Sequence, residues 1–164
     1  MTDVDTDIAV ETGLKTRFLS HGTLGSRDLD RTRKFYTEFL GLEVVQTSKI
    51  SLLIRLGGDH SYAVVLRKKL GEMPRINHNG LDVEDDAEVD RSYQIVLASQ
   101  EEWGLHKITK PVIQHGTYSF HFWDMDDNCW EILSNPTGGY SWLFERGNQD
   151  GKGHQARDYD RPTS

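Results

Sequence analysis

The same order of secondary-structure signals occurs twice in this 164-residue chain, and this repeat constrains the fold more than any other sequence feature. In each copy a strand-like segment with one histidine leads into an amphipathic segment that begins with an aspartate. His21 precedes Asp28 by seven residues, and His78 precedes Asp85 by the same interval. Further strand-like segments follow each predicted helix, so the simplest description is two copies of β-α-β-β-β in register at their histidines.

Hydrophobic periodicity and capping residues define the elements. The first helix has Ser26 or Asp28 as its N-cap and ends at Gly41, a residue typical of helix C-termini. The predicted elements of the first copy are a strand over 17–24, a helix over 26–41, a strand over 42–47 and a hairpin around 57–60. Those of the second copy are a strand over 75–83, a helix over 84–100, a weaker strand over 104–112 and a closing hairpin formed by 117–123 and 129–135.

Two modules of this kind predict an α+β fold in which paired βαβββ modules form a curved, partly closed mixed sheet with the helices outside. The predicted domain covers 15–146, divided into modules of about 15–70 and 71–146. The segments 1–14 and 147–164 are polar and poor in apolar side chains, which predicts two flexible tails.

Charge and hydropathy limit the possible classes of function. The formal net charge of −7 argues against nucleic-acid binding, because phosphate binding needs clustered lysine and arginine. No apolar run is long enough to span a membrane and the N-terminal segment is acidic, so we expect a cytoplasmic protein. The single cysteine, Cys129, gives no disulfide framework. The expected partner is a small molecule.

The closing hairpin brings a histidine to a glutamate. Side chains alternate between the two faces of a strand, which gives its first strand one aromatic face and one largely polar face. The polar face carries His115, Thr117, Ser119, His121 and Trp123. If residues 124–128 form the turn, the register places His121 directly opposite Glu131. A carboxylate on a semi-buried strand needs a partner, which is a metal, the opposing histidine or a lysine.

Three side chains of the two modules suit a divalent metal. If the modules line one cleft, His21, His78 and Glu131 meet there. Two imidazoles and one carboxylate form a facial set that leaves open positions on the metal, as in catalytic sites. Each histidine taken alone has a structural alternative, as a surface residue or a hydrogen-bonded strand residue. His121 is interpreted either as the cross-strand partner of Glu131 or as an acid–base residue.

Two stretches, SHGTLGSRDLDRTRKFYTEFLGLEV and FHFWDMDDNCWEIL, resemble the vicinal oxygen chelate superfamily. Its members include glyoxalase I, methylmalonyl-CoA epimerase, fosfomycin-resistance proteins, bleomycin-binding proteins and type I extradiol dioxygenases. The first stretch is similar to the family's opening strand and helix, and the second is similar to its final hairpin. The resemblance implies that His21, His78 and Glu131 are the metal ligands and that the protein is a homodimer.

The resemblance also ranks the branches of the family. Glyoxalase-like members take a fourth ligand at a place that here holds Ala63, Val64 or Val65, none of which binds a metal. A three-ligand site favours the dioxygenase-like or fosfomycin-resistance-like branches. His121 stands where extradiol enzymes carry tyrosine, and Tyr140 stands where fosfomycin-resistance proteins place an arginine.

The preferred hypothesis is an Fe(II)-dependent extradiol-type dioxygenase acting on a small aromatic or vicinal-dioxygen substrate. The substrate and O2 would fill the three open positions, and His121 and His115 would move protons. The predicted substrate-binding residues are Trp123, Thr23, Ser119 and Tyr140. The rival is a lyase, isomerase or epimerase of the glyoxalase type that uses Mn(II), Ni(II), Co(II) or Zn(II) as a Lewis acid. A metal-free antibiotic-resistance binding protein is the non-enzymatic alternative.

Overall fold

The computed structural model describes residues 15–135 and 138–148. The predicted tail 1–14 and most of the predicted tail 147–164 lie outside the described residues. Within the described part, a strand, a helix and three strands follow one another twice, as the repeat predicts. The α+β class and the paired βαβββ modules are confirmed.

Each module forms its own four-stranded mixed sheet. The elements of the first module are β1 (His21–Ser26), α1 (Leu29–Lys34), a π-helical turn (Phe35–Phe39), β2 (Glu43–Ser48), β3 (Ser51–Arg55) and β4 (Ser61–Leu66). Those of the second are β5 (Asn79–Val83), α2 (Asp86–Ala98), α3 (Gln100–Trp103), β6 (Val112–Gln114), β7 (Thr117–Trp123), β8 (Cys129–Ser134) and α4 (Ser141–Arg146). The strand orders β1-β4-β3-β2 and β5-β8-β7-β6 are equivalent, with β1 parallel to β4 and β5 parallel to β8.

The spacing shared by the two modules has a structural cause. Asp28 is the N-cap of α1, where its carboxylate accepts hydrogen bonds from the backbone N–H groups of Asp30 and Arg31. Asp85 caps α2 in the same way through the N–H of Glu88. An N-cap carboxylate satisfies backbone donors that the first helical turn leaves free. Each aspartate therefore fixes where the chain leaves its first strand and enters the helix.

Two predicted strands of the second module are corrected. The strand predicted over 75–83 begins as a 3-10 turn (Arg75–Asn77), so His78 lies before β5 and not at its centre. The strand predicted over 104–112 is reduced to one bridge between His106 and Trp123, and β6 starts only at Val112. Lys107 has a φ of 52°, a left-handed conformation that interrupts an extended segment.

The modules pack on each other through one shared core. The buried apolar side chains of both sheets form a single cluster. In it, the rings of Tyr36 from the first module and Trp130 from the second pack edge to face, with their centroids 5.7 Å apart. The acidic turn 124–128 joins them as well. Asp126 accepts a hydrogen bond from the Arg27 N–H at 2.7 Å, and the Asn128 amide donates to the Gly25 carbonyl at 3.0 Å. The polar side chains of this turn thus bind the second module to the first.

Two further features of the fold concern the edges of the sheets and the character of the helices. Strands β1 and β5 are edge strands, each with one side that no strand of the described chain pairs. None of the helices within 15–135 and 138–148 has the length and apolar character that a membrane crossing requires.

Candidate metal centre

The closing hairpin has the register that the sequence predicts. Strands β7 and β8 are antiparallel, and His121 lies directly opposite Glu131. The backbone N–H of His121 donates to the Thr109 hydroxyl at 2.8 Å, and its carbonyl accepts from the Thr109 N–H at 2.9 Å. Both backbone groups of His121 therefore point away from β8. In an antiparallel ladder this makes His121 and Glu131 a non-hydrogen-bonded pair, the kind whose side chains lie closest together.

His78 joins this pair from the segment before β5. Its Nε2 lies 3.1 Å from Glu131 Oε2, while His121 Nε2 lies 3.6 Å from Glu131 Oε1. The two imidazole rings are 4.7 Å apart and nearly perpendicular. One potential ligand atom from each of the three residues falls within 4.8 Å of the others. Each carboxylate oxygen of Glu131 thus faces a different imidazole.

The 3-10 turn fixes the orientation of His78. Its Nδ1 lies 2.6 Å from the Arg75 carbonyl oxygen, which accepts hydrogen bonds only, so Nδ1 carries the proton. This leaves Nε2 as the nitrogen that faces Glu131. A carbonyl that holds one ring N–H of a histidine is a common support for metal binding through the other nitrogen.

Burial and mutual contact set the charges in the cluster. Glu131 is 3% exposed, and burial alone would raise its pKa. The hydrogen bond with His78, together with nearby Ser119 and His121, outweighs burial and holds the pKa of Glu131 below its ordinary value. The hydrogen bond to Glu131 raises the pKa of His78, whereas burial lowers the pKa of His121 to about 4. Near neutral pH the cluster contains a carboxylate and at least one neutral imidazole.

The structure does not bring His21 into this cluster. His21 lies at the start of β1 in the other sheet, is exposed, and has its Nδ1 3.2 Å from the neighbouring Ser20 hydroxyl. Thr23, predicted to bind substrate, is also exposed on β1. Both residues belong to a face of the first sheet that the described residues leave open.

The other predicted site residues divide into two groups. Ser119 and Tyr140 lie close to Glu131. Burial raises the pKa of the Tyr140 hydroxyl, and the negative charge of Glu131 raises it further. His115 occupies the turn between β6 and β7 with a φ of 38°, near enough for its charge to act on His121. Trp123 is buried, and its indole N–H donates to the Met73 carbonyl at 2.7 Å.

A second group of acidic and histidine side chains lies in the second module, where Arg27 of the first module contacts it. Glu72, His106 and Asp127 also place ligand atoms within 4.8 Å of one another. Lys107 already contacts Glu72 at 2.6 Å, and Arg27 contacts Asp127 at 2.5 Å. These cations neutralise both carboxylates, so this group is an ion-pair network. His106 Nε2 lies 3.0 Å from Asp127 Oδ1, a contact that no periodic pattern of the sequence indicates.

Several solved structures share the fold of this chain. The fosfomycin resistance protein FosX from Mesorhizobium loti is 27% identical over 80% of this chain and 98% of its own, with a TM-score of 0.57. FosX from Listeria monocytogenes is 22% identical over 80% and 98%, with a TM-score of 0.60. Lactoylglutathione lyase from Agrobacterium tumefaciens is 19% identical over 77% and 100%, with a TM-score of 0.56. No protein-family model matches the chain, and no curated protein matches its sequence.

Proposed function

Because this chain belongs by its fold to the vicinal oxygen chelate superfamily, we propose that it is a divalent-metal-dependent enzyme whose substrate binds through two neighbouring oxygens. The observation that carries the proposal is the contact between the His78 imidazole and the buried Glu131 carboxylate, with the His121 imidazole beside them. Two imidazole nitrogens and a carboxylate oxygen suit Mn(II), Fe(II), Co(II), Ni(II) or Zn(II). A metal held there would polarise a substrate oxygen and stabilise the negative charge that develops on it.

A buried hydroxyl beside the cluster also fits a ligand. Ser119 Oγ is buried beside Glu131, where its hydroxyl helps to lower the pKa of that carboxyl, and it makes no close hydrogen bond among the described residues. An unpartnered buried hydroxyl costs free energy that a bound substrate or metal-bound water would offset. Ser119 and Tyr140 are therefore the residues that we expect to contact the substrate. His115, at the edge of the site, is the candidate for moving a proton.

The relatives favour Lewis-acid chemistry for the reaction. The solved structures of similar fold include fosfomycin resistance proteins and a lactoylglutathione lyase. A lyase, isomerase or epimerase reaction is accordingly the first candidate. The Fe(II) dioxygenase is the second, and its support is the two-histidine, one-carboxylate set itself, which many non-haem iron oxygenases use.

Metal loading followed by two assays separates these candidates. Protein loaded anaerobically with each of the five metals is given fosfomycin, S-lactoylglutathione, or a panel of catechols and hydroquinones. We expect metal-dependent conversion of an oxygen-chelating substrate without O2 uptake. Oxygen consumption by the Fe(II) form alone would establish the second candidate. A protein that binds none of the metals would contradict both and leave a binding protein.

We also propose that the protein is a homodimer in which His21 of a second copy approaches this cluster. The support is the open face of the first sheet, where His21 and Thr23 are exposed, and the free edges of β1 and β5. An exposed strand edge favours pairing with another chain unless it is covered. In a two-fold dimer the edges of β1 and β5 would be covered in both copies.

A further inference from the structure

We infer that His121 is a metal ligand in this protein and not its acid–base residue. The inference rests on the proposed function, because it concerns the same metal, and it changes the number of protein ligands. His121 occupies a place for which the sequence indicates either a cross-strand partner or an acid–base group. The geometry of the hairpin and the chemistry of the ring distinguish these roles.

The backbone holds His121 firmly against Glu131. Its N–H and carbonyl both bond to Thr109, which fixes the backbone of β7 at this residue. The side chain is 7% exposed. An acid–base residue must reach the substrate, whereas a ligand needs only to reach the metal. A backbone position fixed by two hydrogen bonds suits a ligand that does not move.

The distances agree with shared coordination better than with a hydrogen bond. His121 Nε2 lies 3.6 Å from Glu131 Oε1, too far for a good hydrogen bond. Two ligand atoms that each lie about 2.1 Å from one metal are separated by roughly 3.0–3.5 Å. The 3.1 Å separation between His78 Nε2 and Glu131 Oε2 falls in that range, and the 3.6 Å separation is close to it.

The ring of His121 also lacks another partner. No hydrogen bond to either of its ring nitrogens occurs within the described residues, and His78 meets it only through a perpendicular ring contact. A ring nitrogen that no protein group occupies is free to bind a metal. His78, by contrast, already has one nitrogen held by the Arg75 carbonyl.

A ligand at residue 121 changes the expected chemistry. Ala63, Val64 and Val65 leave the first module without the extra ligand of glyoxalase-like relatives, and His121 supplies one from the second module. With His21 of a second copy, the protein would provide four ligands. A six-coordinate metal then keeps two positions, which a substrate with two neighbouring oxygens fills, and none for O2. The inference therefore favours the Lewis-acid reaction over the oxygenase.

Metal affinity of matched variants of the full chain tests this role. His121→Phe keeps an aromatic ring but removes the imidazole ligand, and His121→Asn removes the ring as well. We expect both variants to lower the affinity for Co(II) by at least about 100-fold and to change its visible absorption spectrum. His106→Ala, which removes the imidazole of the ion-pair network, should leave affinity and spectrum unchanged. Far-UV circular dichroism checks that each variant is folded.

A measurement on the unmutated protein covers the case in which a variant does not fold. In protein labelled with 15N-histidine, Zn(II) should shift the Nε2 resonances of both His78 and His121. A shift for His78 with none for His121, or wild-type Co(II) affinity in His121→Phe, would overturn the inference and leave the proposed function standing, because that function requires only that His78 and Glu131 bind the metal. Absence of metal binding by the wild-type protein would overturn both.

Discussion

Glu131 is the residue on which the site depends most. It is buried, it faces two imidazoles, and its pKa is held below the ordinary value against the effect of burial. A carboxylate in that position is stable only with a cation or strong donors beside it. Sequence reasoning identified Glu131 because it interrupts an aromatic strand pair, and the predicted pairing with His121 is confirmed.

Replacing Glu131 by Gln tests this dependence with little change in shape. The amide removes the negative charge that a divalent metal requires, so we expect Mn(II) affinity to fall at least about 100-fold. The measurement is isothermal titration calorimetry. Glu72→Gln, in the ion-pair network, is the matched control and should bind Mn(II) like the wild type. Equal affinity of the Glu131→Gln protein would place the metal elsewhere.

Asp124 is the second residue whose environment predicts a measurable effect. Its carboxylate is buried and accepts hydrogen bonds from the backbone of Asp126, from Asn128 and from the Trp130 indole. Asp124→Asn would point an amide NH2 at some of these donors. We expect the free energy of unfolding to fall by about 1–3 kcal/mol, measured by urea denaturation.

The pH dependence of the same residue follows from its pKa. Burial raises the pKa of Asp124 to about 6 from an ordinary value of 3.8. Between these values the folded chain retains a proton that the unfolded chain loses. The stabilisation from Asp124 is therefore complete below about pH 4 and is lost as the pH rises to about 6. The stability gap between wild type and Asp124→Asn should narrow over this interval, and a widening gap would contradict the raised pKa.

At the scale of elements, antiparallel hairpins were predictable and the connections between them were not. Alternation in β7 and β8 specifies both the faces and the register, because a slip of one residue would exchange the faces. The position of His78 depends on a 3-10 turn and on the Arg75 carbonyl, which leave no periodic signal. Likewise the anchor of His121 comes from Thr109, in a segment that forms no regular strand.

The turn 124–128 gives an element-scale prediction. Asn128 bonds to the Gly25 carbonyl in the first module and to Asp124 within the turn. Asn128→Ala should lower the free energy of unfolding by about 2 kcal/mol, since buried groups lose their partners. It should also increase hydrogen exchange of β1. The exposed Asn77→Ala serves as control, and protection of β1 equal to that of the wild type would show that the turn does not join the modules.

At the scale of the molecule, the repeat predicted two similar modules but not how they meet. Their apolar faces merge into one core, which leaves His21 on an open sheet face and the metal cluster in the second module. The meeting of modules depends on Asp126, Asn128 and Tyr36, whose roles arise only in three dimensions. The predicted convergence of His21 with His78 and Glu131 consequently stays a prediction that concerns a second copy.

Mixed dimers test whether a second copy completes the site. His21→Ala and Glu131→Gln chains are co-expressed, and the assembly state is measured by light scattering. A random mixture of two-fold dimers contains half heterodimers, each with one unaltered site, so about a quarter of all sites should bind metal tightly. A monomeric protein, or a mixture with no more tight sites than the separate variants, would contradict the shared site.

The central claim is that a divalent metal binds between His78, His121 and Glu131, and anomalous diffraction tests it most directly. Crystals of the full chain grown with Mn(II) should give an anomalous peak about 2.2 Å from Nε2 of both histidines and from a carboxylate oxygen of Glu131. A peak only at Glu72, His106 and Asp127, or no peak at either group, would contradict the claim.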